Sequence, residues 1–302
     1  MNKVVIIGCG NVGISYAFAL LNQQTKVNEL VLIDINKEKV IGEAMDLNHG
    51  LPYSPSKITI KVGEYSDCSN ADIVCIAAGA AQNPGETRMD LINKNSKIFK
   101  SIVTSVMDSG FNGIFLVATN PLDVMTYLVW IYSSLPANKI IGSGTSLDTA
   151  RLRYAIGEKL NIDSNNIHAY VIGEHGDSEF VPWSNANIGL QPITDFISKE
   201  ELDDIAISVR DSAYEIIDRK GSTCYGIGMS LVRITNAILN NENSIIAVSS
   251  YDNDNNLFIG GPSIINRNGI KKRIYFNLNE SETIKLQKSI DIIKEAINNI
   301  EL

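Results

Sequence analysis

Hydrophobic residues in the first half of the chain fall in short continuous runs separated by segments of helical periodicity. The runs at 3–7 and 30–33 are rich in valine, isoleucine and leucine, which is typical of strands buried on both faces. Between them, Ile14, Phe18 and Leu21 recur at the i, i+4, i+7 spacing of an amphipathic helix. The pattern therefore predicts a strand, a helix and a second buried strand.

The same alternation continues through residue 142. Apolar runs predict four more strands, at 58–62, 72–77, 113–118 and 139–141, and helical spacing predicts helices at about 37–47, 89–109 and 121–134. Strands that alternate with helices indicate an α/β fold with a doubly wound parallel sheet of the Rossmann type. Ligands of such sheets bind at the carboxyl ends of the strands.

The second half mixes long helices with antiparallel strands. Helices are predicted at 147–160, at 199–220 and, after a glycine-rich break at 221–228, through Leu231 to Ile238; strands are predicted at 245–248, 257–259 and 273–278, and a closing helix at 281–300. We therefore expect a Rossmann domain at residues 1–142 and an α+β substrate-binding domain at residues 143–302.

Composition narrows the class of protein. The net charge of -8 and the absence of a basic stripe argue against a nucleic-acid partner. No stretch reaches 18 uninterrupted apolar residues, so no membrane partner is expected. The four cysteines form no CxxC or CxC motif, which indicates a reducing, cytoplasmic compartment and no metal site.

The first predicted strand ends in a glycine-rich segment, Gly8-Cys9-Gly10-Asn11-Val12-Gly13. A helix follows it, and Asp34 ends the second strand 21 residues beyond Gly13, which is the setting of a dinucleotide-binding fingerprint. The glycines let the backbone approach a pyrophosphate at the helix N-terminus. Asp34 would bind ribose hydroxyls and repel a 2′-phosphate, so we expect NAD rather than NADP.

A loop at residues 79–88 follows the fourth strand. Its terminal glycine, Gly79, and an internal Pro-Gly pair are typical of a loop that can hinge. Such a loop would bring Gln82 and Arg88 toward the mouth of the cofactor site. The loop sequence alone leaves open a solvent-exposed turn with one isolated arginine.

The segment Gly173-Glu174-His175-Gly176-Asp177 holds one of only three histidines. Glycines on both sides permit a sharp turn, on which His175 could titrate near neutral pH and reach a substrate. Asp148 and Arg151 share a helix face at i, i+3 spacing. Asp148 would orient the histidine and Arg151 would bind a carboxylate with two parallel hydrogen bonds. The alternatives are a turn histidine bonded to backbone and an ordinary surface ion pair.

Taken in order, these segments resemble the lactate/malate dehydrogenase family, and within it the bacterial L-lactate dehydrogenases. The resemblance spans nearly the whole chain and rests on the glycine segment at 8–13, Gln82-Asn-Pro-Gly-Glu-Thr-Arg88, Thr119-Asn-Pro121, the segment 142–151, the histidine turn at 173–177 and Gly221-Ser-Thr223. It implies reversible NADH-dependent reduction of pyruvate to L-lactate.

The resemblance also implies a role for each matching residue. His175 resembles the proton donor and acceptor, Asp148 its partner, and Arg88 the loop arginine that polarises the ketone. Substrate contacts fall on Gln82, Arg88, Asn120, Arg151 and Thr223. Cofactor contacts fall on Gly8, Gly10, Asn11, Val12, Gly13, Asp34, Gly79, Asn120 and Ile227.

Gln82 separates the two branches of this family. Malate dehydrogenases carry arginine at this loop position, which pairs with the second carboxylate of oxaloacetate. A neutral glutamine would leave that carboxylate buried and unpaired, so Gln82 favours pyruvate. Malate dehydrogenase and an L-2-hydroxyisocaproate dehydrogenase-like enzyme for longer 2-oxo acids remain the alternatives.

Only two residues precede the first predicted strand, so the resemblance implies a member without the N-terminal arm of the animal enzymes. Bacterial relatives of that kind are often homotetramers activated by fructose 1,6-bisphosphate. Their effector-binding arginine and histidine resemble Arg153 and His168. Arg153 points about 200° around the helix from Arg151, at 3.6 residues per turn, which fits a separate anion site. The alternative is a helix-surface cation.

Two other classes can use the same cofactor fold. An NAD-dependent glycosidase would need a metal-binding Cys/His constellation, which the sequence lacks. A non-catalytic NAD-binding protein would have no reason to retain His175, Asp148, Arg151 and Arg88 together. Both classes fit the sequence less well than a dehydrogenase.

Overall fold

The computed structural model describes residues 2–80 and 88–300. The strands are β1 (Lys3–Ile7), β2 (Glu29–Ile33), β3 (Thr59–Val62), β4 (Ile73–Ile76), β5 (Ile114–Val117), β6 (Ile140–Gly142), β7 (Ile167–His168), β8 (Asn187–Ile188), β9 (Gln191–Pro192), β10 (Ser244–Asp252), β11 (Leu257–Asn266) and β12 (Gly269–Arg273). The helices are α1 (Asn11–Asn22), α2 (Lys37–Gly50), α3 (Arg88–Asp108), α4 (Leu122–Ser133), α5 (Ser146–Leu160), α6 (Lys199–Lys220), α7 (Tyr225–Leu239) and α8 (Glu280–Asn298). Over these ranges, no helix has the length and hydropathy needed to cross a bilayer.

Six of the nine strands in the main sheet are parallel, in the order β3-β2-β1-β4-β5-β6. The order reverses between β1 and β4, which is the switch point where such sheets bind ligands. In β1, Val4 and Ile6 pack into the core on one face while Val5 and Ile7 pack into the core on the other. Burial on both faces explains the continuous apolar runs and confirms the predicted doubly wound sheet.

The antiparallel strands of the second half extend this same sheet. β10 joins β6 through the pair Ser249 and Gly142, and β11 and β12 follow at the edge. The second half of the chain thus supplies three strands to the sheet that the first half begins. A separate three-stranded sheet contains β7, β8 and β9.

The strand predicted at 273–278 is wrong. β12 instead runs over Gly269–Arg273 and pairs with β11 across a tight turn at Arg267-Asn268. Gly269 has a φ of +90°, and a Cβ there would lie 2.0 Å from the Asn138 carbonyl oxygen. The turn therefore requires glycine, and its position starts the strand earlier than the apolar pattern suggests.

The break between α6 and α7 brings the second half against the first predicted helix. α6 begins with a capping box formed by Ser198 and Glu201, and it ends at Gly221, which has a φ of +85°. α7 then packs closely on α1, because a Cβ at Gly228 would lie 2.8 Å from the Ser15 carbonyl oxygen. Asn11, at the start of α1, donates a 3.0 Å hydrogen bond to the Ser222 hydroxyl.

Candidate active site

The histidine turn lies against β11, near one edge of the nine-stranded sheet. Gly173, with a φ of +101°, starts the turn and exchanges two backbone hydrogen bonds with Gly260 of β11, at 3.1 and 2.9 Å. A Cβ at Gly260 would lie 2.7 Å from the Gly173 carbonyl oxygen. Two glycines therefore allow the turn to contact the strand directly.

The Asp123 carboxylate holds the backbone of His175. The backbone N–H of His175 donates to Asp123 Oδ2 at 2.8 Å, and Ser249 of β10 donates to Asp123 Oδ1 at 2.5 Å. Burial raises the pKa of Asp123 to about 6. The sequence analysis missed Asp123, although a carboxylate at the apolar start of α4 was a signal that it has a buried partner.

The predicted site residues Asp148, His175 and Arg151 lie together and are joined by hydrogen bonds. Asp148 Oδ2 lies 2.7 Å from His175 Nδ1, and Arg151 Nη1 donates to Asp148 Oδ1 at 2.9 Å. The Asp148 side chain is only 3% exposed, whereas the His175 side chain is 26% exposed. The imidazole is thus anchored at Nδ1 and partly accessible elsewhere.

These contacts set the proton affinity of the cluster. Burial disfavours the charged imidazole, but the Asp148 carboxylate outweighs this cost and raises the pKa of His175 from 6.5 to about 9. Burial opposes ionisation of Asp148 as well, yet His175 and Arg151 hold its pKa below the usual 3.8. At neutral pH the cluster therefore contains a charged imidazole beside an ionised aspartate.

Glu179 is a third acidic group at this position, which the sequence analysis also missed. Its Oε2 lies 3.9 Å from His175 Nδ1, and burial raises its pKa from 4.5 to about 9. Ligand atoms of Asp148, His175 and Glu179 lie within 4.8 Å of one another, close enough for a metal ion. Asp148 already accepts hydrogen bonds from His175 and Arg151. We therefore interpret Asp148, His175 and Glu179 as a group that binds protons rather than a metal ion.

The glycine segment forms a backbone cradle before α1. A Cβ at Gly8 would lie 2.3 Å from Ala78 N, and one at Gly13 would lie 2.0 Å from the Gly8 carbonyl oxygen. Gly10 faces open space instead, and no side chain caps the helix that it precedes. Unfilled space and uncapped N–H groups fit a pyrophosphate, so the chain can hold a dinucleotide here.

Asp34 stands beside this cradle at the end of β2. Its Oδ2 accepts the Cys9 N–H at 2.7 Å, and its Oδ1 accepts the Asn36 N–H at 2.9 Å. Each carboxylate oxygen can accept a further hydrogen bond, which leaves capacity for ribose hydroxyls. Because Asp34 accepts the Cys9 N–H, it also fixes the conformation of the glycine segment.

The carboxyl ends of β4 and β5 form the next part of the site. A Cβ at Gly79 would lie 2.5 Å from Thr119 Cγ2, so the two strand ends meet closely. The buried Asn95 of α3 accepts the Ala80 N–H at 2.8 Å and donates to the Asn120 carbonyl oxygen at 3.2 Å. Asn95 was not predicted from the sequence, because its role depends on a contact between distant segments.

Two predicted loop residues cannot be placed by the structure. Gln82 lies outside the described residues. Arg88 begins α3, and its side chain is likewise outside the described part of the chain. Their proposed roles therefore stay predictions.

Thr223 and Ile227 lie where α6 gives way to α7. The Asn11–Ser222 hydrogen bond places this connection beside the cradle. Ile227 packs partly buried against the same core cluster as Val12. The structure thus brings these predicted residues to the cofactor side of the molecule.

Arg153 and His168 lie on another surface. Arg153 Nε donates to the Ala169 carbonyl oxygen at 3.0 Å, and its guanidinium lies 4.8 Å from the centre of the Tyr170 ring. Arg153 lines a cavity of about 530 Å³ with Arg233. His168 is exposed on β7, next to the carbonyl that Arg153 contacts.

A doubly wound sheet with a dinucleotide cradle, together with a charged histidine held by two aspartates, is typical of an NAD-dependent dehydrogenase. The comparison with protein families agrees. Residues 2–142 match the model of the lactate/malate dehydrogenase NAD-binding domain, and residues 145–301 match that of the lactate/malate dehydrogenase alpha/beta C-terminal domain. The chain belongs to the lactate/malate dehydrogenase family, and it is an NAD-dependent oxidoreductase.

Similar proteins cover the full length of the chain. An L-lactate dehydrogenase of a Geobacillus species is 53% identical over 308 residues, which is 99% of this chain and 96% of that protein. Among solved structures, a lactate dehydrogenase from a Medee basin deep-sea metagenome library matches with a TM-score of 0.96 and 52% identity over 98% of both chains. The ligand-bound minor L-lactate dehydrogenase of Enterococcus mundtii has a TM-score of 0.96 and 44% identity, covering 100% of this chain and 99% of that chain.

Proposed function

We propose that this chain catalyses the reversible NADH-dependent reduction of pyruvate to L-lactate. The observation that carries the proposal is the His175–Asp148–Arg151 cluster on a sheet whose cradle fits a dinucleotide. The relatives that match the whole chain are L-lactate dehydrogenases. The malate and L-2-hydroxyisocaproate alternatives are not favoured.

His175 acts as the proton donor in the reducing direction. Its pKa of about 9 keeps the ring protonated at neutral pH. Asp148 binds Nδ1, so Nε2 is the nitrogen that can donate to the ketone oxygen of the substrate. When bound, the nicotinamide supplies the hydride that reduces the substrate carbon.

Two arginines and three uncharged polar residues would bind the substrate. Arg151 uses one terminal nitrogen to bind Asp148, and its remaining N–H groups suit a planar carboxylate. Arg88 stabilises the negative charge that develops on the ketone oxygen, and Asn120 and Thr223 complete the pocket. Gln82 selects pyruvate because it offers no positive charge to a second carboxylate.

Most of the residues that would hold the cofactor lie in the first half of the chain. Gly8, Gly10, Asn11, Val12 and Gly13 would hold the pyrophosphate, Asp34 would bind the ribose, and Gly79, Asn120 and Ile227 would contact the nicotinamide end. We therefore assign residues 1–142 to a cofactor-binding domain and residues 143–302 to a substrate domain. The open space at Gly10 and the free acceptor capacity of Asp34 support this assignment.

An assay of substrate choice tests the proposal. We expect NADH oxidation at 340 nm to be fast with pyruvate, much slower with oxaloacetate, and slow with pyruvate when NADPH replaces NADH, because Asp34 repels a 2′-phosphate. A preference for oxaloacetate would contradict the lactate assignment while keeping the hydride chemistry. Turnover of branched 2-oxo acids alone would point to the hydroxyisocaproate alternative.

The active form is proposed to be a cytoplasmic homotetramer. Large apolar side chains stand exposed on helices from both halves, at 55–73% of their full area: Phe18, Met45, Tyr154, Tyr225 and Met229. Exposed apolar surface of this kind supports association with other copies. The free thiols of all four cysteines support a reducing compartment.

Fructose 1,6-bisphosphate is the proposed effector, bound through Arg153 and His168. We expect Arg153→Ala to abolish its activation of pyruvate reduction while leaving the unactivated rate within about twofold, because Arg153 lies away from the His175 cluster. The measurement is initial rate against effector concentration. Lys159→Ala, which removes a cation from the same helix, is the control. Unchanged activation in Arg153→Ala would remove the residue from the effector site.

A further inference from the structure

Arg273, at the end of β12, reaches across two neighbouring strands. Its Nη1 donates to the Ile259 carbonyl oxygen at 2.7 Å, the Ser250 hydroxyl at 2.8 Å and the Ser250 carbonyl oxygen at 3.3 Å. Its Nη2 donates to the Gly260 carbonyl oxygen at 3.4 Å. One planar guanidinium therefore connects the backbones of β10 and β11.

Gly261 of β11 lies directly against the Arg273 guanidinium. A Cβ at Gly261 would lie 2.7 Å from Arg273 Nη2 and 3.2 Å from Arg273 Cζ. Gly261 has no left-handed backbone angle that would require glycine for its own sake. The absence of a side chain at Gly261 thus makes room for the guanidinium.

The carbonyls that Arg273 binds belong to Gly260, which supports the histidine turn, and to residues next to the turn's two supports. Gly260 exchanges two hydrogen bonds with Gly173, the first residue of the turn. Ser249, directly before Ser250, donates to Asp123, and Asp123 accepts the His175 N–H. Arg273 therefore acts on both supports of the turn at a distance of one residue or less along the chain.

An arginine is suited to this position because it offers several donors in a fixed plane. A lysine provides one point charge and cannot bind three carbonyl oxygens with the same geometry. The carboxylate that contributes most to stabilising the charge of the buried Arg273 guanidinium is Asp252.

We infer that Arg273 is a positioning residue for the proposed proton donor: it fixes β10 and β11 so that the turn holds His175 in register with Asp148. The inference rests on the proposed role of His175. A displacement of the ring by a fraction of an ångström would weaken both its contact with Asp148 and its approach to the substrate.

The test compares Arg273→Met, Arg273→Lys and Gly261→Ala with Lys272→Met, which removes an exposed charge from the same strand. The first readout is the NMR titration of His175, whose signal is identified among the three histidines by its loss in His175→Gln. We expect a midpoint of about 9 in the unmodified chain and in Lys272→Met. The midpoint should be lower in Arg273→Met and Gly261→Ala, and intermediate in Arg273→Lys.

The second readout is turnover. Arg273→Met and Gly261→Ala should each lower kcat for pyruvate about tenfold with the KM for NADH unchanged, since the cradle lies elsewhere. The Arg273→Met/Gly261→Ala double variant should be no worse than either single variant, because both remove the same contact.

The outcomes separate this inference from the proposed function. A His175 midpoint and kcat in Arg273→Met equal to those of Lys272→Met would overturn the inference, even if the thermal stability of Arg273→Met fell. The NMR midpoint tests it independently of turnover. Failure of the unmodified chain to reduce pyruvate would instead reject the proposed function.

Discussion

Replacing Asp148 with asparagine is expected to move the high-pH limit of pyruvate reduction from about pH 9 toward neutral pH. Reduction needs protonated His175, and that form is lost as the pH rises through the pKa of the ring. Burial lowers this pKa, and the Asp148 carboxylate makes the largest contribution that raises it above its usual 6.5, ahead of Glu179 and Asp123. At pH 8.5 the variant should be roughly 100-fold slower, because about one ring in a hundred stays protonated two units above its pKa.

The measurement is kcat/KM for pyruvate between pH 5.5 and 10.5. Oxidation of lactate should show the opposite trend in the unmodified chain, since it needs the neutral ring and gains as the pH approaches 9. Glu158→Gln is the matched control, because it removes an exposed carboxylate from the same helix. Coinciding profiles for the two variants would show that Asp148 does not set the proton affinity of His175.

Replacing Gln82 with arginine is expected to invert substrate choice. The new guanidinium would pair with the second carboxylate of oxaloacetate, which otherwise enters the pocket unpaired. The ratio of kcat/KM for oxaloacetate to that for pyruvate should rise by about 10³ or more, as expected when a buried charge gains a partner. Both specificity constants are measured at one pH with saturating NADH.

Gln24→Arg introduces the same residue at an exposed position outside the site, and it should leave the ratio unchanged. An unchanged ratio in Gln82→Arg would show that this loop position does not face the substrate carbon chain. A loss of both activities would mean that the arginine disturbs the loop rather than the choice of substrate.

The core of the fold could be predicted because its strands are buried on both faces. β1 illustrates the point: Val4 and Val5 face opposite layers, so neither polar residues nor alternation interrupts the run. The join between the two halves was not predictable in this way. Within the sheet it is made where Ser249 of β10 pairs with Gly142 of β6, a long-range contact that leaves no periodic trace in either segment.

The site residues also fall into those that the sequence predicts and those that only long-range contacts bring together. His175, Asp148 and Arg151 belong to recognisable segments, and the i, i+3 spacing places the last two on one face. Asp123, Glu179 and Asn95 take part only because distant segments meet, and none lies in a motif with a known spacing. Sequence patterns therefore indicated His175, its partner Asp148 and Arg151, and missed the residues that contact the site from distant segments.

The dual use of Asp34 limits how this chain could change its cofactor. The carboxylate that would meet the ribose also accepts the Cys9 N–H and the Asn36 N–H. An exchange of Asp34 for a small or basic residue would remove the repulsion of a 2′-phosphate, but it would also leave two backbone donors without their acceptor. A change of cofactor preference at Asp34 would therefore also change the contacts that fix the glycine segment at Cys9 and the turn at Asn36.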